Sequence, residues 1–534
     1  MSEKIANILV LLIPIALSLA ILANSMTKPL GRDEQMYCTG GVLLAHGKMI
    51  YRDFSYPSQL PYHPLLYAAL YKILNTNHYL LVGRIVSSLC DILVMLCIVG
   101  IYRHTFASFK ITGALLGLAG AVLYVFNPLV DYANGYAWNH DVVILCVVLS
   151  FWLFISTPPP SAESQISNFK FQVFLIGVLL TFATFMRITT ALVQLLFFAA
   201  LLSQPANSIK QRFKTALPFL IATIIVSLWP IWVIAQAPRA FFLNLYWIPK
   251  LYGQWLHEIG MVHNKIDLIY SCIKQPGYLM LIVIAAYLCL VIAWQRSSKQ
   301  DSKLEKLYPK PYTLYPLLAA LLPLSFFIIA TIPPTMWHQY LALPVPFLVI
   351  SLAYPLFYLR SSVFGVRCSV FKISCALLGV STVVAVVSYP VVLFRTPMLV
   401  ATASWVPIQL HNISEEIATK LKTQNHVLSA DEGSKLILTL APLFALEGGC
   451  DIYPELSAGA IVYRIADRLS SWNRDISHTI GPGTLKQLIE KSPPSAVILG
   501  VEMRRLEEPI LESAVRPNWE RKVYENGIVV YFGH

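Results

Sequence analysis

Asp33 and Glu34 form an adjacent carboxylate pair in KPLGRDEQMY (28–37), directly after an apolar run over 5–24. Further ionisable groups follow: Arg52 and Asp53 in YRDF, His63 between Tyr62 and Pro64, Arg84, His140 and Asp141, Arg187, and His338 after Trp337. Each stands at the edge of an apolar run or close to one. An ionisable side chain at a membrane boundary is costly unless it is solvated or used. A carboxylate can take the proton from an attacking hydroxyl as a general base. An Arg or His can stabilise an anionic leaving phosphate.

Each residue also has a plainer reading. Asp33 reads equally as a solvated flank or the cap of a helix EQMYCTGGVLLAHG. Asp141 reads as a helix cap after Asn139-His140, and His63 as an interfacial histidine. Arg84 reads as a cation snorkelling to lipid headgroups, and His338 as part of an interfacial belt with Trp337. Arg187 is flanked by apolar residues on both sides, so it calls for an anionic partner.

The elements that position these groups are membrane spans. The chain of 534 residues is 56% hydrophobic and only 13% charged, whereas soluble domains carry about a quarter charged residues. Runs long enough to cross a bilayer recur near 5–24, 80–101, 111–130, 141–157, 171–186, 188–203, 215–236, 278–294, 313–332, 339–359 and 371–394. The fold class expected is an all-α polytopic membrane bundle of about eleven spans, followed by a small extracytoplasmic α/β domain. The first run lacks a small-residue cleavage site and reads as a retained anchor.

The net charge of +12 points to topology rather than to nucleic acid. The basic residues gather in alternate short loops, at 103–110, 210–214, 296–310 and 360–372. This pattern makes those loops and the N-terminus cytoplasmic, and an odd span count puts the C-terminus outside. The outer loops are then 25–79, 127–140 and 237–277, so the candidate residues share the external face. Within 25–79, apolar residues at 65, 66, 69, 70, 73 and 74, with Tyr62, Tyr67 and Tyr71, predict a helix lying in the interface.

The chain divides at about 395. Residues 1–395 form the membrane domain and 396–534 the outer domain, with strands expected at 426–431 and 495–500. A hairpin is expected around Asn526-Gly527, and helices over GTLKQLIEKS and RRLEEPILESAV. The cysteines, five of them within spans, show no CxxC spacing and no cluster with histidine, so no metal or other cofactor is indicated.

ATP and nucleotide-sugars are not normally found outside the membrane, and no P-loop or GxGxxG fingerprint is present. A lipid-linked phosphate fits better, with its tail in the bilayer and its phosphate at the interface. The expected chemistry is transfer of a sugar from a polyprenyl-phosphate donor to a lipid, polysaccharide or protein acceptor. A flippase of lipid-linked sugars is the rival; it calls for inverted repeats and midplane charges, and neither is present in the sequence.

The stretch GKMIYRDFSYPSQLPYHPLLYAALY, preceded by Asp33-Glu34, resembles the GT-C membrane glycosyltransferases of the protein O-mannosyltransferase and lipid A aminoarabinose transferase superfamily. The matching positions are Gly47, Tyr51, Asp53, Phe54, His63 and Pro64, then Gly83-Arg84, Asp141, Arg187 and HQYLALPVPFL from His338. The resemblance implies that Asp33 is the general base and Glu34 its neighbouring orienting group. Asp141 would help hold the catalytic loop or the acceptor. His63 would bind the donor phosphate where the aminoarabinose transferases carry Lys, with Arg84 or Arg187 taking more of its charge. Asp53, Tyr62 and His338 are further site candidates. The resemblance also implies inversion at the anomeric carbon, no required metal, and the inner membrane of a bacterium. It assigns no function to 396–534.

Overall fold

The computed structural model describes residues 3–156, 163–204, 208–262, 264–297, 311–333, 335–361, 365–428, 435–525 and 527–533. The membrane part runs as α1 (Glu3–Thr27), α2 (Arg32–Ala45), α3 (Tyr62–Leu74), α4 (Tyr79–Thr105), α5 (Lys110–Val125), α6 (Pro128–Ala133), α7 (His140–Ile155), α8 (Glu163–Thr184), α9 (Ala191–Leu202) and α10 (Ile209–Gln236). It continues as α11 (Pro238–Phe242), α12 (Ile248–Glu258), α13 (Lys265–Ile273), α14 (Pro276–Ser297), α15 (Pro311–Thr331), α16 (Val345–Ser351), α17 (Ala353–Ser361), α18 (Gly365–Ser388) and α19 (Val391–Phe394).

Every apolar run read from the sequence is helical. Among the described residues, seven helices, or up to eight with one bent pair, are long and apolar enough to cross a membrane. α7, α9 and the apolar part of α8 are shorter. The bent pair is α13 and α14, which meet at 86°. The expected span 339–359 is broken into a short 3₁₀ turn at His338–Leu341 followed by α16 and α17, because Pro344, Pro346 and Pro355 interrupt its hydrogen-bond ladder.

α4 packs on α1, α5 and α7, and α8 packs on α7 and α10. α3 corresponds to the helix expected at 64–75; α2 and α3 pack on each other and each also touches α4. Their closeness depends on Gly41, where a Cβ would stand 2.6 Å from that of Tyr67. Gly83 on α4 does the same for the 134–137 segment, where a Cβ would come within 2.6 Å of Ala137 Cβ.

The C-terminal part begins with α20 (Val406–Leu428) and holds a five-stranded sheet. Its strands are β1 (Leu436–Thr439), β2 (Asp451–Ile452), β3 (Ala496–Leu499), β4 (Glu520–Val523) and β5 (Val529–Phe532), in the order β2-β1-β3-β5-β4. β1 runs parallel to β2 and β3, while β5 is antiparallel to β3 and β4. Five shorter helices follow α20 in this part: α21 (Leu443–Leu446), α22 (Ala460–Tyr463), α23 (Ser471–Ser477), α24 (Leu485–Lys491) and α25 (Arg504–Ala514). The 495–500 strand and both expected helices are present. The expected strand at 426–431 is not: 426–428 close α20, and the rest lies outside the described residues. The hairpin forms from β4 and β5, although Asn526 of its turn also lies outside the described residues.

This part shares its core with the first outer loop. Cys38, Val42, Tyr67, Tyr71 and Leu80 pack in one cluster with Ile417, Ile437, Phe444, Ile498 and Val530. A second cluster joins Tyr51, Phe54 and Tyr56 to Trp255, Ala458 and Val462. The loop-rich 445–459 stretch is thus held against the outer loop, with Ser457 donating to the Ser55 carbonyl at 3.3 Å.

Candidate active site

The two neighbouring carboxylates have opposite fates. α2 starts at Arg32, so Asp33 and Glu34 occupy its first turn about 100° apart around the axis. Glu34 turns inward and is fully buried. One of its oxygens accepts from Gly31 N (2.8 Å) and Arg84 Nη2 (2.8 Å). The other accepts from Arg84 Nε (2.9 Å) and Ala137 N (2.7 Å). Its acceptor sites are spent on Arg84, the start of α2 and the 134–137 loop, so Glu34 is an anchor of the scaffold and not the group expected to orient Asp33 for catalysis.

Arg84 is corrected in the same way. It is completely buried, and its remaining N–H groups donate to the carbonyls of Ser25, Lys28 and Pro29 at 2.8, 2.9 and 3.1 Å. It neither snorkels nor offers a donor to a phosphate. With Glu34 it ties three backbone segments into one knot.

Lys28, which the sequence reading passed over, adds to that knot. It is buried and donates to the carbonyls of Asp131, Tyr132 and Asn134 at the C-terminal end of α6, where a cation suits the helix dipole. Burial pulls its pKa down to about 8, against the attraction of Asp131 and Asp141. Several side chains fasten the backbone of the 131–137 loop, among them Lys28, Glu34, Ser25, Ser87 and Asp141, whose carboxylate accepts from Gly135 N at 2.8 Å. Asp141 thus holds a loop beside the site.

His63 does not match its expected role. Its ring is fully buried between those of Tyr37 (centroids 4.8 Å) and Tyr67 (4.2 Å). Burial drives its pKa down to about 3, with the Trp138 backbone pulling the other way. A neutral, enclosed imidazole supplies no charge to a donor phosphate. Tyr62 is also structural: its hydroxyl donates to the Val226 carbonyl, and its ring packs on Phe182 and Trp229. Asp53 is paired with its neighbour Arg52 (2.8 Å) and accepts from Met49 N (2.7 Å). Both contacts hold its carboxyl below the usual range and staple the 49–53 turn, in which Tyr51 has φ +66°.

Asp33 and Arg187 are different. Asp33 is half-buried, and among the described residues its carboxylate has no hydrogen-bond or ion-pair partner. Burial lifts its pKa above the usual carboxylate value; the Arg464 guanidinium opposes this, Glu34 adds to it, and Arg32 opposes it. Arg187, at the turn after α8, is also half-buried and has no ion pair among the described residues. It lies over the Tyr340 ring, 5.1 Å from its centroid.

Tyr37 and Tyr340 each feel the charges of both Asp33 and Arg187, so the acid and the cation lie near the same two tyrosines. Tyr132 and Tyr252 also lie within the field of Asp33. Tyr132 meets His338 edge-on at 6.0 Å, which brings that candidate to the same region. A free carboxylate, a free guanidinium and a group of tyrosines suit a polar, partly cyclic substrate carrying an anionic group.

The C-terminal part reaches this region through Arg464, a residue that no motif marked. Arg464 is buried, pairs with Glu502 (2.6 Å) and donates to Tyr252 Oη (2.8 Å). Arg32 pairs with the same Glu502 at 3.0 Å. Arg32, Arg464 and Glu502, with Gly31, Gln35, Phe444 and Val501, line a cavity of about 360 Å³ between the start of α2 and the C-terminal part.

No family model matches the chain, and no curated protein matches it in sequence. Solved structures do match its fold. ArnT from Cupriavidus metallidurans, bound to undecaprenyl phosphate, superposes with a TM-score of 0.60 at 12% identity, over 99% of this chain and 98% of that one. The same protein in the apo state gives 0.61 at 13% identity with the same coverage. The Archaeoglobus fulgidus oligosaccharyltransferase in complex with Zn and sulfate gives 0.51 at 10% identity, over 97% of this chain and 73% of that one. The chain therefore shares the polytopic helical fold of these proteins over nearly its whole length.

Proposed function

We propose that the protein is a membrane glycosyltransferase that moves a sugar from a polyprenyl-phosphate donor to an acceptor hydroxyl on the extracytoplasmic face of a bacterial plasma membrane. The observation that carries this reading is an acid without a partner, Asp33, and a cation without an ion pair, Arg187, among the described residues and near the same tyrosines. Asp33 accepts the proton of the acceptor hydroxyl as its oxygen attacks the anomeric carbon. The bond from that carbon to the phosphate oxygen breaks, and its electrons leave with the lipid phosphate. Arg187 holds the charge that develops there, and the configuration inverts because there is one displacement. The raised pKa of Asp33 makes it a better proton acceptor than an ordinary carboxylate once ionised.

The scheme draws on no metal. The GT-C fold shared with a transferase solved with undecaprenyl phosphate supports the lipid-phosphate class of donor. The 360 Å³ cavity beside Arg32 and Arg464 suits acceptor entry, and the C-terminal part would then serve as an acceptor-docking module. The acceptor is a lipid, a polysaccharide or a protein.

The test is sugar transfer in proteoliposomes supplied with a panel of polyprenyl-phosphate sugars, wild type against Asp33→Asn. The expected loss is about 10²–10⁴-fold, the usual worth of a general base. Full activity of the variant removes Asp33 as the base, and sugar translocation without transfer overturns the enzyme reading.

A further inference from the structure

Away from the Asp33 region, three segments distant in sequence bring metal-binding side chains together. His78 precedes α4, His411 lies on α20, and Glu447 follows α21. One ligand atom from each lies within 4.8 Å of the other two. The imidazole rings are close, with centroids 3.6 Å apart and planes inclined by 34°.

The groups around this trio already orient it. Glu447 is fully buried and has one oxygen tied to Leu80 N at 2.7 Å, which leaves the other facing His411 Nδ1 at 3.1 Å. On the far side of the same ring, Glu415 lies 3.3 Å from Nε2. A carboxylate there favours the proton on Nε2 and turns the Nδ1 lone pair inward, the arrangement that supports metal-bound histidines. His78 Nδ1 is buried and has no hydrogen-bond partner. A buried imidazole nitrogen without a partner beside a half-free carboxylate needs an explanation.

We propose that His78, His411 and Glu447 bind a divalent cation of the zinc class, which clamps the C-terminal part onto the head of α4. Two imidazoles and one carboxylate are a recognised zinc ligand set, with water completing the tetrahedron. Bonds of about 2.0–2.1 Å would space the ligand atoms by roughly 3.3 Å, so spacings now within 4.8 Å would close by up to about 1.5 Å on binding. Glu415 is a positioning residue and not a ligand, because it occupies the outer nitrogen of His411. The clamp lies outside the proposed transfer chemistry and does not depend on it. It would reinforce the Asn77 side chain's donation to the Glu447 carbonyl at 2.9 Å, which already ties the same two parts.

The full chain, purified without a polyhistidine tag, is loaded with zinc sulfate, passed over a chelating resin, and its metal counted by mass spectrometry. Wild type should retain about one zinc per chain at this three-ligand site, and His78→Ala should retain at least tenfold less. His78→Ala is the primary variant because His78 is half-exposed and its Nδ1 serves no protein partner, so monodispersity should survive. Cobalt substitution should give wild type the visible absorption of a tetrahedral site, and His78→Ala should lack it. Chelator should lower the thermal midpoint of wild type and not of His78→Ala. Equal zinc retention by the two proteins, or none in either, overturns the proposal.

Discussion

Glu34→Gln separates anchoring from catalysis within a single turn of helix. Glu34 accepts four hydrogen bonds, two on each oxygen, and each oxygen receives one from Arg84 and one from a backbone N–H. A glutamine amide keeps one acceptor oxygen, whichever way it is flipped. Its NH₂ then faces one Arg84 N–H and one backbone N–H, from Gly31 or Ala137. Two of the four contacts become donor against donor, and the buried guanidinium loses its counter-charge.

Breaking one side of a buried ion pair costs about 3–5 kcal/mol, to be set against a whole-protein stability of about 5–15 kcal/mol. Asp33→Asn, one residue earlier, removes no partner and should stay within about 0.5 kcal/mol of wild type. Detergent-solubilised protein is heated in steps, and the monodisperse fraction is followed by size-exclusion chromatography alongside transfer activity. Glu34→Gln should lose its folded fraction at clearly lower temperature, with activity falling in proportion to folded protein. Asp33→Asn should match wild type in folding and lose turnover. A Glu34→Gln protein as heat-resistant as wild type would refute the anchoring argument, and one both stable and inactive would return Glu34 to the chemistry.

Three further outcomes are expected. An unfolded histidine takes up a proton below its ordinary pKa of 6.5, whereas His63 resists to about 3; the folded state therefore loses up to about 1.4 kcal/mol per pH unit on acidification through that window. Equilibrium unfolding against pH should show this slope in wild type and lose most of it in His63→Phe. Arg187→Ala should lower turnover by about 10²–10³-fold, the scale of one lost electrostatic stabiliser, with the folded fraction unchanged by chromatography; Arg187→Lys should recover part of the loss. Arg464 holds the pKa of Asp33 down against burial, so Arg464→Gln should move the acid limb of the pH–rate profile to higher pH, while Arg32 still pairs Glu502.

The helices were legible because each apolar run is long and continuous, and the outer hairpin because β-rich runs flank Asn-Gly. The missed strand had a local cause. NHVLSAD carries the apolar residues of a short buried strand, but the helical period of EEIATKLKT runs on into it and α20 continues to Leu428. β1 instead comes from LILT, too short a run to stand out. Asp33 was legible through its place after the first span.

The roles of the other charged residues were not, because charge alone does not reveal a partner. Glu34 and Arg84 are 50 positions apart and pair through two hydrogen bonds. Arg52 and Asp53 are adjacent and also pair through two. His63 occupies a position where a lysine would reach for phosphate, yet the Tyr37 and Tyr67 rings enclose it. Arg464 and the His78, His411 and Glu447 trio depend on contacts across hundreds of residues, and no spacing rule covers them.

The Glu34–Arg84 knot also constrains the order of biosynthesis. When Glu34 leaves the ribosome its counter-ion is still 50 residues from being made, and Ala137, which also holds it, is 103 residues away. At about 5–20 residues per second, the carboxylate waits several seconds for Arg84 and longer for the loop. During that interval α2 has no fixed start, and Glu34 and Asp33 are both open to water. The proposed base therefore acquires its site only after α4 and the 131–137 loop have been made and packed against α2. A chain stalled before that point would carry Asp33 without the scaffold that sets its position, and could not yet perform the transfer.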